Sequence, residues 1–402
     1  MTRRGRQLLW LLIGVGLIGR VVLAFATVGV GFDIESLRLV GAALGGEPFE
    51  TYSAVNDPLD SLGGFEVSRW PYPPGLFPWV SASAAIENAT ALPFHGLIQM
   101  APIAADAAIG WLVQDFLGRR GASERTRLAS AALVLIGPSF WIISGYHGQI
   151  DSVAILPAVA ALAVWDRAPA SHRAPIAGLL IGLGAAVKTV PIFMLLALLP
   201  SVRSFREGLW LVGAAAMLPL AAMAPFLIAD FDAVTRALRY TGAPGLGGLT
   251  MLMQPELSTA NLTLDFEGIE VGAVVRGIHA RSGAIVLAGL AAVSALLFRF
   301  RPAPVHAATA IWLAVYVVSP AFFFQYVVWG VPFFLMAGYV REVALLQLLL
   351  LPGTVVFYLR PWSDDRIGLV YVPAMAVVWL ALVLGVLLQL RQVVRAPARV
   401  RA

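Results

Sequence analysis

Asp33 and Glu35, in GFDIESLR, stand two residues apart, a few positions beyond the end of a long apolar stretch. In an extended segment residues i and i+2 share a face, so the two carboxylates would act together. One would be the general base for an acceptor hydroxyl, or both would hold a divalent cation such as Mg or Mn. They open a stretch, 31–75, that also carries Glu47, Glu50, Asp57, Asp60 and Glu66, nearly a third of the chain's 23 acids. Those last five read as solvation of a long loop. The stretch closes on Arg69, Trp70 and Tyr72 with Pro73 and Pro74, a rigid aromatic corner suited to shaping a substrate pocket.

Farther along, SGYHGQIDS places His147, Gln149 and Asp151 two apart beside Tyr146, with donors and acceptors suited to a sugar or a phosphate. Lys188, in GLGAAVKTVPIF, is the only lysine; the other 27 basic residues are arginine. A lysine at the centre of a membrane helix costs about 2.5–3.5 kcal/mol, so an intramembrane cation is read first as functional. A compact point charge of this kind meets a phosphate well; snorkelling to the headgroups is the alternative. SPAFFFQYVVWGVP brings Gln325, Tyr326 and Trp329 to the same level, where an aromatic belt would also account for the Tyr and Trp. Asp106, an isolated acid inside an apolar run, is expected to pair with Arg20. P-loop, GxSxG, HExxH and CxxC motifs are absent, and so is cysteine. ATP-driven transport, serine hydrolysis and zinc-peptidase chemistry therefore lack sequence support.

The elements that must position these groups are membrane helices. Of the 402 residues 59% are hydrophobic and 13% charged, and the mean hydropathy is +0.82; soluble domains carry about 25% charged residues. The expected fold is all-α: one polytopic transmembrane bundle of about 12 spans, with short amphipathic helices in its outer loops. About 20 apolar residues cross a bilayer, and cytoplasmic loops collect arginine and lysine. Spans are expected near 8–30, 94–117, 128–145, 152–165, 175–187, 190–200, 208–229, 284–298, 307–321, 326–340, 344–360 and 369–390. The segments assigned to the cytoplasmic face then hold 18 arginines against 5 acids, Asp115, Glu124, Asp166, Glu207 and Glu342. Both termini are thus expected in the cytoplasm, and the net charge of +5 is topology rather than a nucleic-acid surface. Residues 75–88 are read as a helix dipping into the outer leaflet, and 175–200 as a hairpin broken at Lys188 and Pro191. The outer face carries two loops, 31–93 and 230–283, in a chain that reads as a single integral membrane domain over 1–402. The arginine-heavy, lysine-poor composition points to a prokaryotic cell membrane.

Several of these segments together resemble the GT-C superfamily of polytopic glycosyltransferases, which take sugars from polyprenyl-phosphate donors. FDIESLR resembles the acidic motif of the first outer loop, and WPYPPG the Tyr-Pro-Pro element. GYHGQIDS and GLLIGLGAAVKTVPIFMLLALLP resemble, in order, the histidine segment and the lysine-containing hairpin of dolichyl-phosphate-glucose glucosyltransferases. QYVVW is similar to a late Tyr/Trp loop of bacterial polyprenyl-phosphate-mannose mannosyltransferases. The glucosyltransferases carry His-Glu-Lys where this chain has Phe324-Gln325-Tyr326, which leaves the sugar open.

The resemblance covers 8–200, as a GT-C-like module, with more variable spans over 201–402. It implies transfer of mannose or glucose to a glycolipid or lipid-linked cell-envelope glycan on the outer face. Inversion is implied too, with Asp33 as base and Glu35 supporting it or a cation. Arg69, Trp70, Tyr72, His147, Gln149, Asp151, Lys188, Gln325 and Tyr326 would bind donor or acceptor. A transporter or flippase of a lipid-linked sugar would use the same groups without chemistry, and matched broken helices would favour it.

Overall fold

A backbone surrounded by hydrocarbon must satisfy its own hydrogen bonds, so long apolar runs become helices. The computed structural model describes residues 1–56, 60–62, 65–359 and 364–395; Asp57, the side chains of Asp60 and Glu66, and the tail past Arg395 lie outside it. Helix α1 (Arg3–Ala26) starts at Thr2, whose hydroxyl accepts from the Gly5 amide at 3.0 Å, an N-cap. The segment expected as an outer loop then folds into α2 (Gly31–Gly45), α3 (Thr51–Asn56), α4 (Phe77–Ala89) and a short antiparallel pair. That pair is β1 (Asp60–Leu62) with β2 (Phe65–Val67), Asp60 facing Val67. α4 packs along α2. Its 13 residues extend about 20 Å at 1.5 Å per residue, too short for a bilayer core of about 30 Å.

α5 (Phe94–Ile98) and α6 (Met100–Arg119) form one passage, and α7 (Glu124–Leu135) returns. Gly137 and Pro138 interrupt that return, which resumes as α8 (Pro138–Ile142) and a π-turn over Ile143–His147. α9 (Asp151–Arg167) and α10 (Ala170–Val187) are antiparallel neighbours. At Lys188 the backbone opens to φ −151°, ψ 137°, and α11 (Met194–Leu198) follows between 3₁₀ turns at Val190–Phe193 and Leu199–Ser201. The Ser201 hydroxyl, at the far end of this piece, accepts from the Trp165 indole at 2.9 Å, level with the start of α10. The chain therefore reverses at Lys188, the expected broken hairpin. α12 (Phe205–Ala229) leads to four short helices, α13 (Phe231–Leu238), α14 (Gly248–Met253), α15 (Glu256–Thr263) and α16 (Ala273–Ala280). Then come α17 (Ser282–Phe300), α18 (Pro304–Val318), α19 (Val327–Met336), α20 (Val340–Leu359) and α21 (Asp364–Arg395).

Seven described segments are long and apolar enough to cross a membrane, which makes this an integral membrane protein. The remaining expected spans, 152–165, 175–187, 190–200, 307–321 and 326–340, are shorter helices. The difference tracks position. Long α1, α12 and α17 leave most of their apolar surface outward, whereas every residue of α19 is buried. A helix surrounded by protein is released from matching the bilayer thickness.

Polar links gather at the two ends of the bundle. At one end Thr2 meets Glu124, Arg167 meets Asp115 at 3.6 Å, Arg120 meets Asp166 and Arg173 meets Glu207. At the other, the Val30 amide bonds the His147 carbonyl at 3.2 Å and Thr250 bonds the Pro320 carbonyl at 2.6 Å. Between them, wholly buried, Arg20 Nε lies 3.4 Å from Asp106, the pair expected from sequence. The guanidinium also donates to the Leu135 and Val134 carbonyls, both at 2.7 Å, satisfying buried carbonyls at the end of α7.

Arg20→Met would strand the Asp106 carboxylate and those carbonyls, and should cost about 3–5 kcal/mol. Thermal unfolding in detergent measures it. Arg20→Met with Asp106→Leu should recover a large part of the loss; equal destabilisation in the single and double variants would show that carbonyl capping, and not the ion pair, matters.

Candidate active site

The approach of α1's end to the π-turn sets the geometry. Gly29 takes φ +84°, and a Cβ there would stand 2.4 Å from the Tyr146 carbonyl, so only glycine fits. Two residues later α2 begins, and its first turn carries Asp33 against His147. On the other strand of this junction, Gly148 at φ +90° ends the π-turn and aims the imidazole back toward α2.

Asp33 Oδ2 lies 2.6 Å from His147 Nε2, and the Tyr358 hydroxyl, from the end of α20, meets His147 Nδ1. A phenol donating to Nδ1 selects the tautomer whose Nε2–H donates to the carboxylate. The Gln149 amide nitrogen is 3.3 Å from the same Nε2. His147 is 1% exposed while the Asp33 side chain is 29% exposed, so the carboxylate reaches outward from a buried support.

Beside it sits a second constellation. Lys188 Nζ is 2.5 Å from Asp151 Oδ1, and the Trp329 indole donates to that oxygen at 2.8 Å. The ammonium faces the rings of Tyr72 at 4.7 Å, Trp329 at 5.1 Å and Tyr326 at 5.9 Å, a desolvated cation–π cage. Tyr326 and Trp329 are themselves stacked at 4.2 Å. Asp151 is fully buried, and its Oδ2 has no hydrogen-bond partner among the described residues.

Asp33, Arg69, Trp70, Tyr72 and Gln149 line one small cavity of about 20 Å³, room for about one water molecule. The Arg69 guanidinium lies 5.0 Å from the Phe32 ring. Burial, then Asp151 and Asp33, push the Tyr72 phenol well up; burial and Asp33 push Tyr240 up to about 12. Both phenols therefore stay protonated and able to donate at any ordinary pH.

Tyr72 joins the Asp33 cavity to the Lys188 cage, so most of the expected residues converge. Trp70 contributes chiefly as core, 1% exposed and packed on Phe77 and Tyr72. Gln325 is buried in the turn before α19 with its Oε1 unpartnered among the described residues. Glu35 departs from expectation. Its segment is helix and not extended strand, so positions i and i+2 are turned by roughly 200°, and Glu35 is exposed on another face. The helical backbone thus turns the Asp33 and Glu35 carboxylates to different faces instead of the shared face expected of an extended segment; no group of three or more His, Cys, Asp or Glu side chains that could hold a metal ion occurs among the described residues. Nothing in the sequence marks Tyr358 and Tyr240 as site residues, or Trp329 beyond its place beside Gln325 and Tyr326, because aromatic residues at span ends read equally well as an interfacial belt.

A model of glycosyltransferase family 87 matches residues 70–324, well over half of the chain. The match includes His147, Asp151 and Lys188; Asp33 and Tyr358 flank it. No curated protein matches the chain.

The cage ranks its own variants. Lys188→Met leaves a buried carboxylate unpaired, about 3–5 kcal/mol, whereas Trp329→Phe removes one hydrogen bond to a charge, about 1.5–3 kcal/mol. Unfolding midpoints of the purified proteins should fall in that order, with Lys188→Met rescued in part by Asp151→Leu. The reverse order would mean that Trp329 packing outweighs the ion pair.

Proposed function

The chain belongs to glycosyltransferase family 87, and on that premise we propose that it moves a hexose, mannose or glucose, from a polyprenyl-phosphate donor to a glycolipid or lipid-linked glycan. The supporting observation is the Tyr358–His147–Asp33 chain ending in a partly exposed carboxylate next to a caged lysine.

In this reading the acceptor hydroxyl enters the cavity beside Asp33, where its ring stays at the mouth near Arg69 and Tyr72. Asp33 takes the hydroxyl proton as that oxygen bonds the anomeric carbon. The bond from that carbon to the donor's phosphate oxygen breaks on the opposite side, its electrons leave with the phosphate, and the configuration inverts. His147 holds the carboxylate in line through Nε2 while the Tyr358 hydroxyl holds its Nδ1. Lys188 faces the leaving phosphate with the N–H groups Asp151 does not use, a preorganised cation where charge develops. Gln149 and the phenols of Tyr72 and Tyr240 offer hydrogen bonds to sugar hydroxyls.

In this reading the arginine-rich end of the bundle faces the cytoplasm, with both termini there and the site on the outer side. Twelve passes would then alternate through the membrane of a prokaryotic cell, with 8–200 as a GT-C-like module and 201–402 completing it. The carrier's tail stays in lipid while its phosphate reaches the site.

Asp33→Asn should lower turnover by about 10²–10⁴-fold in membranes supplied with a polyprenyl-phosphate sugar; full turnover would remove Asp33 as the base. Uptake of a lipid-linked sugar without product would favour a flippase instead. Tyr358→Phe should lower kcat by about tenfold with KM little changed, and should add little on top of Asp33→Asn. An additive double variant would separate Tyr358 from the carboxylate.

A further inference from the structure

At the arginine-rich end, away from Asp33 and Lys188, a groove of about 300 Å³ runs between α18, α19, α20 and α21, at the low end for ligand sites. Its floor is apolar, with Leu313, Leu382 and Gly385. Gly385 keeps it open: a Cβ there would already be 3.3 Å from Leu313. Rim residues Leu345, Leu384 and Leu388 are 57%, 56% and 49% exposed, so the groove opens sideways where a bilayer's chains would lie. Its mouth is polar, with Tyr339, Glu342 and Gln392.

Glu342 sets the mouth apart. Of the five acids at this end, Asp115, Glu124, Asp166 and Glu207 each have a partner in the chain. Glu342 has no ion-pair or hydrogen-bond partner among the described residues, although Arg341 precedes it and Arg391 follows in the neighbouring helix. An unpaired carboxylate over an apolar slot complements a molecule that has an ammonium and a hydrocarbon chain.

We propose that this groove binds one bilayer phospholipid with a primary-amine headgroup, of the phosphatidylethanolamine class. One chain lies over Gly385 between α20 and α21. The ammonium donates to Glu342 at the mouth. A primary ammonium has three N–H donors for the carboxylate. A trimethylated amine has none, and a glycerol headgroup has no cation. This assignment does not depend on which sugar the protein transfers.

The test is native mass spectrometry of the delipidated full chain titrated with dioleoyl phosphatidylethanolamine, phosphatidylcholine or phosphatidylglycerol. One phosphatidylethanolamine should be retained about tenfold more tightly than either of the others. Glu342→Gln, an exposed substitution that leaves the packing intact, should abolish that preference. Gly385→Leu should reduce retention of all three. Equal retention of the three lipids, or an unchanged preference in Glu342→Gln, would mean that only ordinary solvation by annular lipid occurs and would overturn the proposal.

Discussion

A charge removed from water must find an opposite charge, and the contact between Lys188 and Asp151 is where this chain meets that demand. α9 and α10 run antiparallel, so the start of one and the end of the other meet at the same level. The lysine sits where α10 breaks, and the extended backbone there lets its side chain face Asp151. Trp329 arrives from α19 and Tyr72 from the Pro-flanked corner, each drawn to the same pair. Four distant stretches of sequence are thereby held together around one ion pair.

The adjacent residue extends that anchor into the scaffold. Asp151 engages Lys188, while Ser152 donates to Asp106 at 2.5 Å, and Asp106 faces Arg20. Two buried ion pairs at different depths thus hang on consecutive residues at the start of α9. One serves the site; the other ties α1 to the unsatisfied carbonyls at the end of α7. The Lys188 cage and α1, which leads into Asp33, are both tied to this helix start.

How much of this was legible depended on whether the physics was local. Membrane helices, the break at Lys188 and the Arg20–Asp106 pair follow from composition and from the cost of burying a charge, which act at single positions. The pairing of Asp33 with Glu35 failed because it rested on an extended backbone. The chain there is helical, which turns one carboxylate to the site and the other to the exterior. The segments expected as spans near 307–321 and 326–340 form α18 and α19, which are shielded by protein, so nothing in their sequence had to match a bilayer. Tyr358 was hidden for a different reason. A tyrosine at the end of an apolar helix is ordinary, and only its meeting with His147, 211 positions earlier, gives it a role.

By itself the sequence determined that this is a helical membrane protein, which end of it carries arginine, and that Asp33, His147, Asp151 and Lys188 are costly enough in their settings to need explaining. Those conclusions rest on transfer energies and charge counts, which each residue carries with it. The tertiary structure alone decided that His147 supports Asp33, that Asp151 rather than solvent neutralises Lys188, and that Glu35 stands apart. Partnership across the bundle is set by how helices pack and where they stop, and no single segment encodes it.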